Sequence, residues 1–167
     1  MKDDLGGKSG FFGKPGSFGL SGSMKSNEWT TPTDVFDKLN KAYDFTLDPC
    51  CTKESALCEK FYTIEEDGLQ QDWSKDVVFM NPPYGRGINK WIEKAYLESR
   101  MGAVVVCLIP ARVDTRYWHD YIFPYARQIT FLKGRLKFGG GGNAPFPSAI
   151  VEFKPHSRKQ LWNEVKI

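Results

Sequence analysis

The sequence predicts an α/β fold with a mostly parallel sheet, on three observations. "DVVFM" (76–80) and "AVVVCLIP" (103–110) are apolar throughout, as strands are when both sheet faces are covered. Between them, "INKWIEKAYLESR" places Ile88, Trp91, Ile92, Ala95 and Tyr96 on one helical face. Strand, helix and strand at this spacing form a parallel β-α-β unit, for which the crossover is right-handed. Toward the C-terminus, "QITFLKGRLKF", the glycine-rich "GGGGNAPFP" and "SAIVEF" read as two strands of an antiparallel hairpin at the C-terminal edge of the sheet.

In chain order, residues 1–25 carry seven glycines and scattered phenylalanines without a helical or strand period. They are expected to be a flexible arm outside the fold, with Met24 an alternative start. The "GKS" at 7–9 lacks the first glycine of a phosphate loop and any buried strand before it. Residues 26–167 are expected to form a single domain. In "EWTTPTDVFDKLNKAY", Thr33 or Asp34 can cap a helix that carries Val35, Phe36, Leu39 and Ala42 or Tyr43 at helical spacing. "DFTLDPC" then reads as a short strand ending at Asp48, "KESALCEKFYT" as helix or irregular structure, and "DGLQQDW" as a polar loop. Ligands of open α/β sheets bind beyond the carboxyl ends of the strands, where Asp48 and Asn81 both fall.

Composition narrows the class. A chain of 167 residues and 19.0 kDa suits one compact domain. The net charge of +3, from 23 basic and 20 acidic residues, is compatible with a polyanionic partner without demanding one. Cys50, Cys51, Cys58 and Cys107 contain no C-x-x-C pair, and the only histidines are His119 and His156, so no metal site is expected. Reduced thiols, no apolar run approaching the roughly 20 residues of a membrane span, and no signal-peptide segment give the expectation of a soluble, cytoplasmic protein without a membrane partner.

The stretch "VVFMNPPYGRG" (77–87) ends a buried strand on two residues that donate no backbone hydrogen bond. Asn, Pro and Gly are turn formers, and a rigid turn is the plain reading. The chemical reading starts from backbone restriction. Pro83 holds Pro82 extended and Pro82 fixes its own φ, so the carbonyl of residue 82 is aimed in one direction. Asn81 adds a side-chain carbonyl, and Tyr84 offers a flat ring. Two acceptors and a stacking face make a socket for a planar amine. Acceptors on both hydrogens of such an amine pull its nitrogen toward tetrahedral geometry and localise the lone pair that attacks a methyl donor.

"NPPY" after an apolar strand resembles the catalytic motif of amino-methylating, S-adenosylmethionine-dependent methyltransferases. "EWTTP" resembles their segment at the methionine end of the cofactor, "LDPC" their first-strand motif, and "EEDGLQQDW" their acidic adenine-binding segment. With "PARVDTRYWH" and "APFPSAIVEF" following in order, residues 27–153 are similar to phage-type DNA adenine-N6 methyltransferases. One departure stands out. The family's first motif carries glycines that let backbone approach the cofactor, and "DPCCTKESA" has none.

The resemblance implies a Rossmann-like methyltransferase fold, S-adenosylmethionine as cofactor, and transfer to N6 of adenine flipped out of double-stranded DNA. It implies catalytic roles for Asn81, Pro82 and Tyr84, with Pro83 as the rigidifier, and places Asp48 and Pro49 near the methionine moiety. Thr31 and Pro32 would contact the cofactor or merely open a helix. Asp67 is preferred over Asp72 for the cofactor adenine; Glu65 and Glu66 either reach the ribose or form a solvated acidic run. Phe146, between prolines and after a glycine-rich loop, reads as a displayed ring that packs on the target base opposite Tyr84.

Arg112 and Arg116 follow the second buried strand and meet phosphate, or else pair with an acid such as Asp114. Lys133, Arg135 and Lys137 alternate in a strand and would form a phosphate-contacting stripe. His119 reads as a packed or solvated helix residue rather than a base. Only 32 residues separate Asp48 from Asn81, so recognition falls to the arm, residues 111–128 and the hairpin, and a short target is expected. The rival functions are an RNA or protein-glutamine amino-methyltransferase and a non-catalytic nucleic-acid-binding domain of the same fold. A monomer and a weak dimer are both compatible with the sequence.

Overall fold

A computed structural model describes residues 29–139 and 142–155. The arm expected over residues 1–25 lies outside the described residues. Six strands, β1 (Leu47–Asp48), β2 (Lys60–Phe61), β3 (Val77–Met80), β4 (Val104–Pro110), β5 (Gln128–Phe131) and β6 (Ser148–Phe153), form one sheet in the order β2-β1-β3-β4-β6-β5. The first four are parallel, and β6 runs antiparallel to both β4 and β5. The helices are α1 (Thr33–Tyr43) and α2 (Ile88–Met101), followed by a short π-helical turn (Trp118–Ile122) that runs into α3 (Phe123–Tyr125).

The β3-α2-β4 unit is as its apolar pattern predicts. β3 and β4 pair from Val77↔Val104 to Met80↔Cys107, and α2 buries Ile88, Ile92 and Ala95 against the sheet. Val105 through Ile109 are fully buried, which is why that run shows no alternation. α1 buries Phe36, whose ring meets Phe45 and Phe79 at 5.7 and 5.2 Å.

Several expectations are corrected. Neither Thr33 nor Asp34 caps α1: Pro32 occupies the cap position with extended backbone, its carbonyl accepting from the N–H groups of Val35 and Phe36, and no side chain caps the helix. Pro32 fixes where the helix starts, so Thr33 and Asp34 fall inside the first turn. The segment "KESALCEKFYT", expected to be helix or irregular, contains β2, whose pairing with β1 continues in the bond from Tyr62 N–H to the Asp48 carbonyl (2.9 Å). The "DGLQQDW" loop is anchored rather than free. Gly68–Gln70 forms a 3-10 turn, and the fully buried Trp73 donates its indole N–H to the Gly68 carbonyl (3.0 Å) and stacks on Trp91.

The tail strands pair antiparallel as expected and close that side of the sheet, with β6 between β4 and β5 and β5 at the edge. The strand expected through residue 138 stops at Phe131. Gly134 takes φ 85°, a backbone conformation that turns the chain out of the sheet; Lys133 and Arg135 lie exposed beside it, and exposed Lys137 forms an isolated antiparallel bridge with Asn143. No strand stripe of cations exists there. Among the described residues no helix is long and apolar enough to cross a membrane.

Candidate active site

From β1 the chain passes to β2 on one side and returns to β3 on the other, so the carboxyl ends of β1 and β3 flank a switch point that opens a crevice. Asp48 ends β1 and Asn81 follows β3, with Leu47 and Val78 in register. A cavity of about 950 Å³ occupies the crevice, and Thr31, Asp48, Pro49, Asp67, Asn81, Pro82 and Pro83 line it. Pro32, at the start of α1, is off this wall, as are Tyr84, Phe146, Arg112, Arg116, Lys133 and Arg135.

The Asn81 amide is held at both ends. Its Nδ2 donates to the Trp29 carbonyl (2.5 Å) and to Thr31 Oγ1 (2.9 Å), and its Oδ1 accepts from the Tyr84 hydroxyl (2.6 Å). The reverse orientation would set two acceptors, Oδ1 and the Trp29 carbonyl, against each other, so the amide has one sense. The Tyr84 hydroxyl also lies 3.1 Å from the Leu108 carbonyl, but its single proton serves the nearer Asn81. Burial pushes that hydroxyl well above the usual tyrosine range and keeps it a donor. Oδ1 retains a second lone pair, and the Pro82 carbonyl accepts no hydrogen bond among the described residues.

Two rings expected on display are buried. Tyr84 and Phe146 are 5% and 8% exposed and meet edge to face at 5.4 Å and 81°. Phe138 packs against Tyr84 at 6.0 Å, and Trp29 against Phe146 at 5.3 Å, both edge on. Four aromatic side chains cover one another here because each removes a large apolar area from water. This arrangement holds no parallel slot between Tyr84 and Phe146. Arg112 lies over the Phe146 ring at 5.7 Å, and Arg116 approaches Asp120 at 3.7 Å, not Asp114. His119 lies edge on to Phe123, with Nε2 2.9 Å from the Val113 carbonyl.

On the opposite wall, Asp48 accepts from the N–H groups of Leu57 (3.3 Å) and Cys50 (3.5 Å). Burial outweighs those bonds and pushes its carboxyl up to about 6. The loop without glycines closes by other means. Cys51 Sγ reaches the carbonyls of Asp48 and Tyr62, and Thr52 and Ser55 bond each other's backbone and side chains. Burial and the neighbouring Asp48 push the Cys51 and Cys58 thiols up to about 12, so they stay protonated.

Asp67 and Asp72 separate cleanly. Asp67 lies on the cavity wall at φ 50°, while Asp72 lies off it and accepts from Ser74 N–H (2.8 Å). Glu65 and Glu66 are not a plain solvated run, because both converge on Thr63, whose hydroxyl is 2.5 and 2.6 Å from their Oε2 atoms. That bonding holds both carboxyls below the usual range. Ile64, not among the residues expected at the site, lines the cavity at 89% exposure. An isoleucine inside an acidic run was the signal for it. Nothing local in the sequence pointed to the Trp29 carbonyl.

The sheet, the crevice at its switch point and the paired acceptors define a Rossmann-like methyltransferase fold. A solved structure described as "crystal structure of a putative RNA methyltransferase PH1948 from Pyrococcus horikoshii" matches it with a TM-score of 0.51 at 14% identity, over 77% of this chain and 85% of that one. The model of the DNA N-6-adenine-methyltransferase (Dam) family matches residues 22–154, and the chain belongs to that family. It is 31% identical over 127 residues to a "DNA N-6-adenine-methyltransferase" of Escherichia phage T1, covering 75% of this chain and 52% of the relative. It is also 35% identical over 65 residues to "Putative methyltransferase YfdM" of Escherichia coli (strain K12), covering 35% of this chain and 71% of that one. The chain thus spans about half the length of the phage T1 relative.

Proposed function

We propose that the protein is an adenine-specific DNA methyltransferase that uses S-adenosylmethionine to methylate N6 of an adenine flipped out of double-stranded DNA. The observation that carries this reading is the pair of acceptors at the end of β3, the Asn81 Oδ1 and the free Pro82 carbonyl, set against a carboxylate-lined cavity. Membership of the Dam family supports adenine as the acceptor base.

The cavity residues fit the cofactor. Asp48, Glu54, Glu65, Glu66 and Asp67 face a single lysine, Lys53, which suits a ligand with a sulfonium and an ammonium against one carboxylate. Exposed Ile64 offers an apolar face for a base, Asp67 an acceptor for its amino group, and Glu65 and Glu66 acceptors for ribose hydroxyls. When bound, the cofactor supplies an electrophilic methyl whose carbon–sulfur bond breaks with the pair left on sulfur.

Asn81 Oδ1 and the Pro82 carbonyl accept the two hydrogens of N6, which localises the nitrogen lone pair and aims it at the cavity. The N6 proton turns acidic once the new bond has formed, so no resident base is required. Flipping a base costs a few kcal/mol, which aromatic contacts offset. Tyr84 and Phe146 must tilt apart to supply them, given their edge-on packing. Exposed Lys133, Arg135, Arg112 and Arg116 are the phosphate contacts of this reading, and the cytoplasm is where such a substrate would be met.

The test offers labelled S-adenosylmethionine with DNA, RNA or protein to wild type and Asn81→Ala. Labelled N6-methyladenine in DNA is expected, with kcat falling about 10²–10³-fold in the variant. Label in RNA or protein alone, or a variant near the wild-type rate, refutes the reading.

A further inference from the structure

We infer that Thr31 is a positioning residue for Asn81, tying the cofactor cavity to the amide that holds the target amine; this rests on the function proposed above. A residue expected only to touch the cofactor thus faces two ways. Thr31 is 8% exposed, lines the cavity, and its Oγ1 lies 2.9 Å from Asn81 Nδ2. An amide nitrogen only donates, so the Thr31 hydroxyl accepts. Its own proton has no acceptor among the described residues and is available to the cavity.

The other amide hydrogen goes to the Trp29 carbonyl. With both Nδ2 hydrogens engaged, the amide plane cannot rotate without losing a bond, and Oδ1 points away from residues 29–31 toward the acceptor side. Donation from both N–H groups also polarises the amide and strengthens Oδ1 as an acceptor. The same short segment touches both halves of the site. The Trp29 ring packs on Phe146 and Phe138, Thr30 accepts from Gly139 N–H, and Pro32 starts α1. A cofactor group that takes the Thr31 proton leaves the oxygen's lone pairs directed at Asn81, so filling the cavity tightens the amide's grip. Removing the hydroxyl leaves one amide hydrogen unpaired and loosens the amide, which the Trp29 carbonyl and the Tyr84 hydroxyl then hold alone.

The test compares Thr31→Val and Thr31→Ala, which lack the acceptor, with Thr31→Ser, which keeps it. In the cofactor-free protein, the Asn81 side-chain amide resonances are assigned by their loss in Asn81→Ala. Hydrogen exchange of one of the pair is expected to rise at least about tenfold in the Val and Ala variants, and to stay within about threefold of wild type in the Ser variant. At saturating cofactor and DNA, the single-turnover rate is expected to fall about tenfold in Val and Ala and to recover in Ser. Weaker cofactor binding with unchanged saturated rate and unchanged amide exchange would make Thr31 a cofactor contact only and overturn the inference. Equal loss in Ser and Val would make the role structural and overturn it too. If wild type methylates no DNA, the function proposed above fails, while the amide exchange still decides whether Thr31 holds Asn81.

Discussion

The Asp48 carboxyl has two backbone N–H bonds, 4% exposure and no cation paired with it among the described residues. Burial dominates, and the folded-state value rises from 3.8 to about 6. A folded value above the unfolded one means that the folded protein holds the proton more tightly. The resulting stability is present in full below about pH 4 and is lost as pH rises through about 6. At pH 8 the ionised carboxylate opposes folding by on the order of 2–3 kcal/mol. Asp48→Asn is therefore expected to melt higher than wild type at pH 8, with the difference vanishing toward pH 4. Thermal melts across that range check it, and a pH-independent difference would sink the argument. The same variant should bind a cationic cofactor less well, because the charge that strains the fold is the one the ligand neutralises.

At the scale of elements, the cavity depends on how closely the 3-10 turn approaches the loop after β1. A Cβ on Gly68 would lie 1.9 Å from the Pro49 carbonyl oxygen, a backbone atom that no rotamer change can remove. The turn is pinned there from behind by the Trp73 indole, and Trp73 N–H in turn meets Glu98 at 2.9 Å. Gly68→Ala must push apart the two walls that carry Asp67 and Pro49. It should lose about 1–3 kcal/mol of stability and bind S-adenosylmethionine at least about tenfold more weakly by calorimetry. Gly142→Ala, with nothing within 4 Å of its added carbon, should change neither, and parity between the two variants would refute the close-approach argument.

Elements were legible where burial writes itself into the chain. β3, β4 and α2 carry unbroken apolar runs or a helical stripe, and the structure forms them close to the residues expected. β2 has two residues, one exposed and one half-buried, and so leaves no hydrophobic pattern. The alternation of Lys133, Arg135 and Lys137 mimics a strand, but Gly134 at φ 85° breaks it beyond an edge that has no outer partner.

Across the whole molecule, the candidate site was legible in the "NPPY" stretch and its strand ends, and illegible in its long-range contacts. Asn81 meets residues 50 and 52 positions earlier, and Phe146 is covered by Trp29 from the far end of the described chain; no local pattern encodes either pairing. Charge is divided in the same global way, with carboxylates around the cavity and exposed cations in the turn at 132–138. β5 runs in the same direction as β4, so the turn that follows it, with Lys133 and Arg135, lies at the carboxyl ends of the parallel strands, on the side of the candidate site. Arg100 serves as the contrast. α2 connects the end of β3 to the start of β4, so its last turn lies at the opposite edge of the sheet. Each cation that neutralises a DNA phosphate contributes about 0.9 to the slope of log affinity against log salt. The double variant Lys133→Ala, Arg135→Ala should therefore flatten that slope by roughly 2, and Arg100→Ala should leave it unchanged, in anisotropy titrations on duplex DNA from about 50 to 200 mM salt. Equal flattening by both would mean that the charge acts through the net +3 of the chain, and an unchanged slope in the double variant would remove the turn from the DNA face.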